Sequence, residues 1–418
     1  VCAAIPTVKG TWRQKYGEHA YYFLNFQTME GIRVSVRHRD IIRPGWYRFK
    51  HSASMTGKAV SLLHCLSPRY HYGFNLLEQL MLMTVPHTIT VLGSGRFIIN
   101  LWSWFGYILV DCHRQTVSYH LLEESTPPAV LGSQQWFEPL SGDLFAMSFD
   151  LEDSLRRIDN PTYPVAFNIF KHRLGESATE TIWQGELADS MHDILINKTR
   201  QYCVAAELGM HLDSYSDILP SKVLVVDLKN NKHWILDRFT VAAHVCFDNE
   251  DPTILYVSNH NFQFQHSRLL QLMQRGSYAV QFRGPASVFK YRLTPNGPQE
   301  MGVFTQDDFY RLTNMHVCTH RGQKLIIAMG YPDEVFLIDA DSMRFLRKIR
   351  VADTNTRKPA LIGTVAPSPD GEKLLVQTTR SFQIIDIASD RVDYRRNYFF
   401  THTCFNHMVA SSATANIT

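Results

Sequence analysis

Short runs of apolar residues, separated by turns rich in Gly, Asp and Asn, repeat along the second half of the chain. From residue 316 the runs are "HVCTH", "KLIIAMG", "EVFLIDADS" and "MRFLRKIRV"; from residue 363 they are "GTVAPS", "KLLVQTT", "SFQIIDIASD" and "RVDYRRNYFF". Runs of this length, rich in Val, Ile, Leu and Phe, are typical of β-strands. A unit of four short strands that repeats every ~40–70 residues predicts an all-β fold, the β-propeller.

The same template divides the earlier chain into four more units, at 243–304, 191–239, 134–185 and 86–122. The final run, "THTCFNHMV", has no blade of its own, and the N-terminal runs "AYYFLNF", "GIRVSVRH" and "WYRFKH" can supply its partners. A ring closed in this way has no free sheet edge. We therefore expect one domain over 1–418, a seven-bladed β-propeller closed by pairing of the C-terminal strand with N-terminal strands.

Two segments do not fit a blade. Residues 52–84 include "GFNLLEQLMLM", whose apolar residues have helical spacing, and they predict a helical excursion over one face of the propeller. Residues 261–284 predict a loop insertion within a blade.

Composition excludes several classes of protein. Apolar residues make up 45% of the 418 residues, the formal charge is only +3, and no long Lys/Arg run occurs, so we do not expect a nucleic-acid partner. The longest apolar stretch, "FIINLWSWFGYILV" (97–110), is too short for a transmembrane segment. The seven cysteines lie singly in apolar runs, which favours free thiols in a reducing compartment and predicts a cytoplasmic protein.

Histidine recurs at the start of the predicted first strands, and three of these sites are His-x-Cys triplets. The first strand of each propeller blade lines the central channel. Alignment of the units by the turn that ends this strand places five histidines at nearly the same depth: His87, His192, His244, His316 and His402. The remaining blades offer Gln134 or Gln135, and Thr364, at this position.

Several imidazoles that converge without carboxylates predict a transition-metal site, with Fe(II) the first choice and Cu, Zn, Ni or Mn as alternatives. Three or four histidine ligands would leave a position open for substrate, water or dioxygen. Cys246, Cys318 and Cys404 follow two residues later on the same strand face, where we favour an apolar lining over metal ligation. In the alternative interpretation, each histidine is structural and bonds a loop of the neighbouring blade.

Two resemblances carry further expectations. The phrases "SPDGEKLLV" and "IIDIASDR" resemble the YVTN/WD-type propeller blade, whose Asp-Gly turn suits a tight hairpin. Histidines from separate blades around one axial metal are similar to the arrangement in carotenoid cleavage oxygenases, in which four histidines bind Fe(II). The second resemblance implies His192, His244 and His316 as three ligands and His402 as the fourth, with His87 in addition.

We therefore expect a metal-dependent enzyme, an Fe(II) oxygenase or oxidase that acts on a small, partly apolar organic substrate. Loops 52–84 and 261–284 would form the entrance to its site. Two alternatives stay open: a lyase or isomerase that uses Mn or Zn in the same channel, and a non-catalytic propeller that serves as a scaffold for protein–protein interaction.

Overall fold

The computed structural model is an all-β propeller built from small antiparallel sheets. It describes residues 4–7, 18–24, 31–37, 86–93, 95–101, 106–111, 113–114, 116–122, 129–138, 141–150, 164–187, 191–207, 221–242, 244–265, 279–282, 284–310, 315–330, 333–351, 362–378 and 381–397. Within these ranges every regular element is a β-strand, and no helix has the length and hydropathy needed to cross a membrane.

Twenty-nine strands form the described sheets. The N-terminal sheet consists of β1 (Ala4–Thr7), β2 (Glu18–Leu24) and β3 (Gly31–Arg37). Blade 1 consists of β4 (Pro86–Gly93), β5 (Arg96–Leu101), β6 (Gly106–Asp111) and β7 (Thr116–Leu121). Blade 2 consists of β8 (Ala129–Glu138), β9 (Asp143–Asp150), β10 (Val165–Arg173) and β11 (Glu180–Leu187). Blade 3 consists of β12 (Met191–Ile196), β13 (Tyr202–Glu207), β14 (Ser221–Asp227) and β15 (Lys232–Phe239).

Blade 4 consists of β16 (Val245–Phe247), β17 (Ile254–Asn259), β20 (Ser287–Thr294) and β21 (Gly297–Thr305), with the hairpin β18 (Phe262–Gln265) and β19 (Ala279–Phe282) inserted between its second and third strands. Blade 5 consists of β22 (Met315–His320), β23 (Gln323–Gly330), β24 (Glu334–Asp339) and β25 (Arg344–Arg350). Blade 6 consists of β26 (Ile362–Pro367), β27 (Lys373–Thr378), β28 (Ser381–Asp386) and β29 (Val392–Asn397). The inserted hairpin lies within the predicted insertion 261–284.

Burial follows the position of each strand within its blade. The second strand of blade 4, β17, is buried along its whole length, because neighbouring blades cover both of its faces. The fourth strand of blade 5, β25, is mostly exposed. On β23, Ile326 and Ala328 pack towards blade 4, whereas Leu325 and Ile327 pack towards blade 6, as the two-residue period of a strand requires. The predicted four-stranded repeat is confirmed.

The first strands of the six blades lie at the centre. Contacts join β4 to β8, β8 to β12, β12 to β16, β16 to β22 and β22 to β26. This arrangement agrees with the prediction that the first strands line the channel.

Antiparallel pairing sorts the connections between strands to two ends of the ring. Connections from first to second and from third to fourth strands lie at one end; the longest are 174–179 and 248–253. Connections from second to third strands, and from one blade to the next, lie at the opposite end, and one of them spans 260–286. We call these the short-turn end and the long-loop end.

Hydrogen bonds join successive blades at the short-turn end. The Asn197 amide donates to a carbonyl in the first turn of blade 4 (2.9 Å), and the Asn249 amide donates to the Val317 carbonyl of blade 5 (2.6 Å). His320 Nδ1 donates to the Gly371 carbonyl of blade 6 (2.9 Å). Gly371 has a φ of +70°, and a Cβ at this position would lie 2.0 Å from the Thr319 carbonyl oxygen, so only glycine fits here.

The number of blades differs from the prediction of seven. The described residues form six four-stranded blades, because the N-terminal strands pair with one another in a separate three-stranded sheet. The predicted closing strand, in 398–418, lies outside the described residues, as do "WYRFKH" and the predicted helical excursion 52–84.

Candidate functional site

Blade 4 holds the start of its first strand in place through paired backbone and side-chain groups. The His244 N–H donates to Ser258 Oγ (3.1 Å), and the Ser258 N–H donates to the His244 carbonyl (2.9 Å). Asn259 Oδ1 accepts the N–H groups of Thr240 (2.9 Å) and Val241 (3.2 Å), directly before this strand. The backbone that carries His244 is therefore fixed on both sides at the long-loop end.

A second imidazole lies beside His244. His260 follows β17 directly, and its N–H donates to the Val241 carbonyl (2.9 Å). The rings of His244 and His260 are nearly parallel (19°), with centroids 6.0 Å apart. Only 7% of His244 and 2% of His260 is exposed. We call these two residues the histidine pair.

His260 was not predicted, because an alignment of first strands alone does not include it. A signal was available, since the residue that follows the second strand of an antiparallel pair returns to the start of the first strand. In "YVSNHNF", His260 stands at this position.

His87 and His192 occupy irregular positions in the ladder. Pairing of β4 with β5 skips His87, and pairing of β12 with β13 skips His192. Similar irregularities occur at 132–134, which includes Gln134, and at 363. Irregular pairing therefore recurs near the starts of first strands. A β-bulge redirects a side chain out of the regular alternation. The side chains of His87 and His192, and all of His402, lie outside the described part of the chain.

His316 lies further along the channel than His244. It pairs with Ile327 inside the hairpin of β22 and β23. The first turn of blade 4 lies beside this hairpin, where Thr319 Oγ1 donates to Glu250 Oε1 (3.0 Å) and where Asn249 reaches Val317. The blade 5 hairpin therefore extends past its neighbour, and His316 lies nearer the short-turn end than the predicted equal depth required.

Cys246 and Cys318 belong to the packing between blades. Both are free thiols; Cys318 lies in the apolar cluster between blades 5 and 6, and Cys246 packs against the cluster between blades 4 and 5. Burial raises the pKa of the Cys318 thiol to about 12. A thiol in this state is a poor metal ligand, which supports the expected apolar lining. Cys404 lies outside the described residues.

Blade 6 has polar side chains at the start of its first strand. Thr364, on β26, pairs directly with Gln377, on β27. Both side chains are buried, and Thr364 Oγ1 and Gln377 Oε1 have no hydrogen-bond partner among the described residues.

The described side chains do not complete a metal centre. Among them, no group of three or more His, Cys, Asp or Glu residues lies close enough together to hold a metal ion. The structure brings together His244 and His260, and His316 does not complete a group of three possible ligands with them. The positions of His87, His192 and His402 as ligands stay predictions.

Comparison with known proteins adds no identification. No protein-family model matches the chain, and a search of curated proteins finds no match. The β-propeller architecture is shown by the structure, whereas the resemblances to YVTN/WD-type blades and to carotenoid cleavage oxygenases stay expectations from the sequence.

Proposed function

We propose that the protein is a metal-dependent enzyme whose centre lies at the long-loop end of the channel and includes the histidine pair. The observation that supports this function is the placement of two buried, nearly parallel imidazoles on backbone that hydrogen bonds hold in place. Neutral imidazole is the commonest transition-metal ligand in proteins. A buried position at the long-loop end suits a small, partly apolar organic substrate.

The donor set decides which metal fits. Imidazoles that are not clustered with carboxylates favour Fe(II), Cu or Zn over Ca or Mg. Two ligands come from the histidine pair, so the others must come from the predicted histidines His87, His192 and His402, with His316 further along the channel. A bound metal would supply Lewis acidity or redox chemistry. With Fe(II) the proposed reaction is that of an oxygenase or oxidase; with Mn or Zn it is that of a lyase or isomerase.

The role of the chain is to hold the imidazoles in place. The hydrogen bonds of Ser258 and Asn259 fix the backbone that carries both rings. Rings held in this way present their nitrogens to a cation at a reduced entropic cost of side-chain ordering.

Metal content of protein produced without a histidine tag tests the proposal. We expect about one equivalent of a transition metal, iron first, by inductively coupled plasma mass spectrometry after anaerobic loading and desalting. His244→Phe and His260→Phe should each lower the retained metal at least tenfold, because each removes one ligand and keeps the ring volume.

His172→Phe is the matched control. His172 is also a buried histidine, but it lies between blades 1 and 2, where it stacks with Tyr107. This variant should keep the full metal content. Metal retention that is unchanged in both His244→Phe and His260→Phe, or no retention by the unaltered protein, would contradict the proposal and favour the structural interpretation of the histidines.

Nitric oxide distinguishes the two reaction classes. It binds open positions of non-haem Fe(II) in place of dioxygen and gives a characteristic electron paramagnetic resonance signal. We expect this signal from the iron-loaded protein and its loss in His260→Phe. Retention of Mn or Zn in preference to iron, without this signal, would favour the lyase or isomerase.

A further inference from the structure

The ladder pair Thr364 and Gln377 carries two buried side-chain oxygens of blade 6. Only 2% of Thr364 and 5% of Gln377 is exposed, yet Thr364 Oγ1 and Gln377 Oε1 have no hydrogen-bond partner among the described residues. Buried polar side-chain atoms are nearly always hydrogen-bonded in folded proteins, so two neighbouring oxygens without hydrogen-bond partners require an explanation.

The neighbouring polar groups show that blade 6 can satisfy such atoms. The Gln383 amide donates to Ser381 Oγ (2.9 Å) and accepts from Arg395 Nη2 (3.0 Å). Thr378 Oγ1 accepts the Ser381 N–H (2.9 Å). Among the described residues of blade 6, the buried side-chain oxygens without a partner are therefore those of Thr364 and Gln377.

These two residues lie at the level of the histidine pair. In blade 6, Ser368 lies four residues after Thr364, and its N–H donates to the carbonyl of the first residue of the second strand, Lys373. In blade 4, Asp248 lies four residues after His244, and its N–H donates to the carbonyl of the first residue of the second strand there, Ile254. Thr364 and His244 therefore occupy equivalent positions at the long-loop end of the central strands.

We propose that Thr364 and Gln377 form a hydrogen-bonding subsite for the hydroxyl group of a small, neutral ligand. The Gln377 carbonyl oxygen accepts a hydrogen bond and the Thr364 hydroxyl donates or accepts one, so a hydroxyl group matches both. Directly opposite residues of an antiparallel pair have Cβ atoms ~5 Å apart, which lets one group reach both side chains. Because both side chains are buried, a small group is the ligand to expect. This inference does not rest on the metal.

Methyl NMR of threonine-labelled protein tests the subsite directly. The Thr364 methyl signal is assigned from its loss in Thr364→Val. We expect a saturable shift of this signal with ethylene glycol, which carries hydroxyl donors, and no shift with 1,2-dimethoxyethane, which has the same acceptors but no donor. Gln377→Met should weaken the apparent affinity for ethylene glycol at least tenfold.

Gln383→Met is the matched control in the same blade. It should leave the affinity for ethylene glycol unchanged but lower the urea midpoint, because it removes a paired amide; Gln377→Met should not lower this midpoint. An absent shift with ethylene glycol, an equal shift with 1,2-dimethoxyethane, or a midpoint of Gln377→Met as low as that of Gln383→Met would overturn the subsite. The measurements use metal-free protein, so their outcome is independent of the proposed metal centre.

Discussion

Two sets of buried polar groups, Asp248 with its partners at the short-turn end and the ladder pair Thr364 and Gln377 at the long-loop end, differ in how they are paired. At the short-turn end, the buried Asp248 carboxylate contacts Lys324 Nζ (3.1 Å), accepts the Glu250 N–H (2.8 Å) and accepts the Tyr256 hydroxyl (3.2 Å). At the long-loop end, Thr364 and Gln377 present buried oxygens without a partner among the described residues. Paired groups stabilise a fold, whereas unpaired ones lower its stability. Asp248 and the ladder pair should therefore respond to mutation in opposite ways.

The largest effect is expected at Asp248. Burial alone would raise the pKa of this carboxyl group, but the N–H groups of Asp251 and Glu250 and the Lys324 ammonium outweigh burial and lower it. Asp248→Ala removes the buried acceptor that the Lys324 ammonium, the Tyr256 hydroxyl and two backbone N–H groups share, so we expect a loss of about 4 kcal/mol in the free energy of unfolding. Urea denaturation followed by tryptophan fluorescence measures it.

Glu250→Gln provides the control for Asp248. Glu250 also contacts Lys324 (3.3 Å) but is exposed, and an exposed ion pair contributes about 0.5 kcal/mol. Equal destabilisation by the two substitutions would show that the short-turn end is not stabilised by its buried pairing. Neither variant should alter metal retention, because both residues lie at the end opposite the histidine pair.

A smaller effect on the free energy of unfolding, which depends on pH, is expected from His172, between blades 1 and 2. Tyr107 stacks on His172 (centroids 5.3 Å apart) and on His120 (4.8 Å). Burial lowers the pKa of His172 to about 4; the Arg173 backbone and Asp143 oppose this shift, and His120 adds to it. This contact tests whether burial of a titratable ring makes the stability of the fold depend on pH.

The sign of the pH effect follows from the two states of the chain. The unfolded chain takes up a proton at His172 near pH 6.5, whereas the folded chain takes it up only near pH 4. Stability is therefore fully present above pH 6.5 and falls by about 3 kcal/mol as the pH drops to 4. Urea denaturation at several pH values between 6.5 and 4 should show a loss of unfolding free energy that is smaller in His172→Phe by about 3 kcal/mol. An equal loss in both proteins would contradict the role of His172 in the pH dependence.

The sequence predicted the architecture because its signal is local and repeated. Runs such as "KLIIAMG" and "EVFLIDADS" alternate with turns, and each became a strand of blade 5. Ring closure was not predicted correctly, because it depends on which strands the N-terminal strands pair with. In the structure, β1 to β3 pair with one another. Period and turn signals do not specify such long-range pairing.

The candidate site was predicted in part, for a related reason. His244 was identified from its place before a strand, but His260 enters the site through the return of β17, which an alignment of first strands omits. The offset of His316 arises from the length of the blade 5 hairpin, in which Arg321 (φ 48°) and Gly322 (φ 80°) make a tight turn two residues long. Alignment by turns assumes equal hairpins, and the hairpins here differ in how far they extend.

The smallest expected effect is the difference in the free energy of unfolding between substitutions of two threonines in blade 6. These two residues differ sharply in hydrogen bonding. Thr378 Oγ1 accepts the Ser381 N–H (2.9 Å), whereas Thr364 Oγ1 has no partner among the described residues. Thr378→Val should lower the free energy of unfolding by about 1 kcal/mol, because it leaves a buried N–H unpaired. Thr364→Val keeps the shape and removes an unpaired hydroxyl, so stability should stay equal or rise by up to about 1 kcal/mol.

Both changes exchange a hydroxyl for a methyl group of similar size, so a difference between their urea midpoints reports hydrogen bonding and not volume. If both lowered the midpoint equally, Thr364 would be bonded in the folded protein, and the contrast between paired and unpaired polar groups would fail in blade 6.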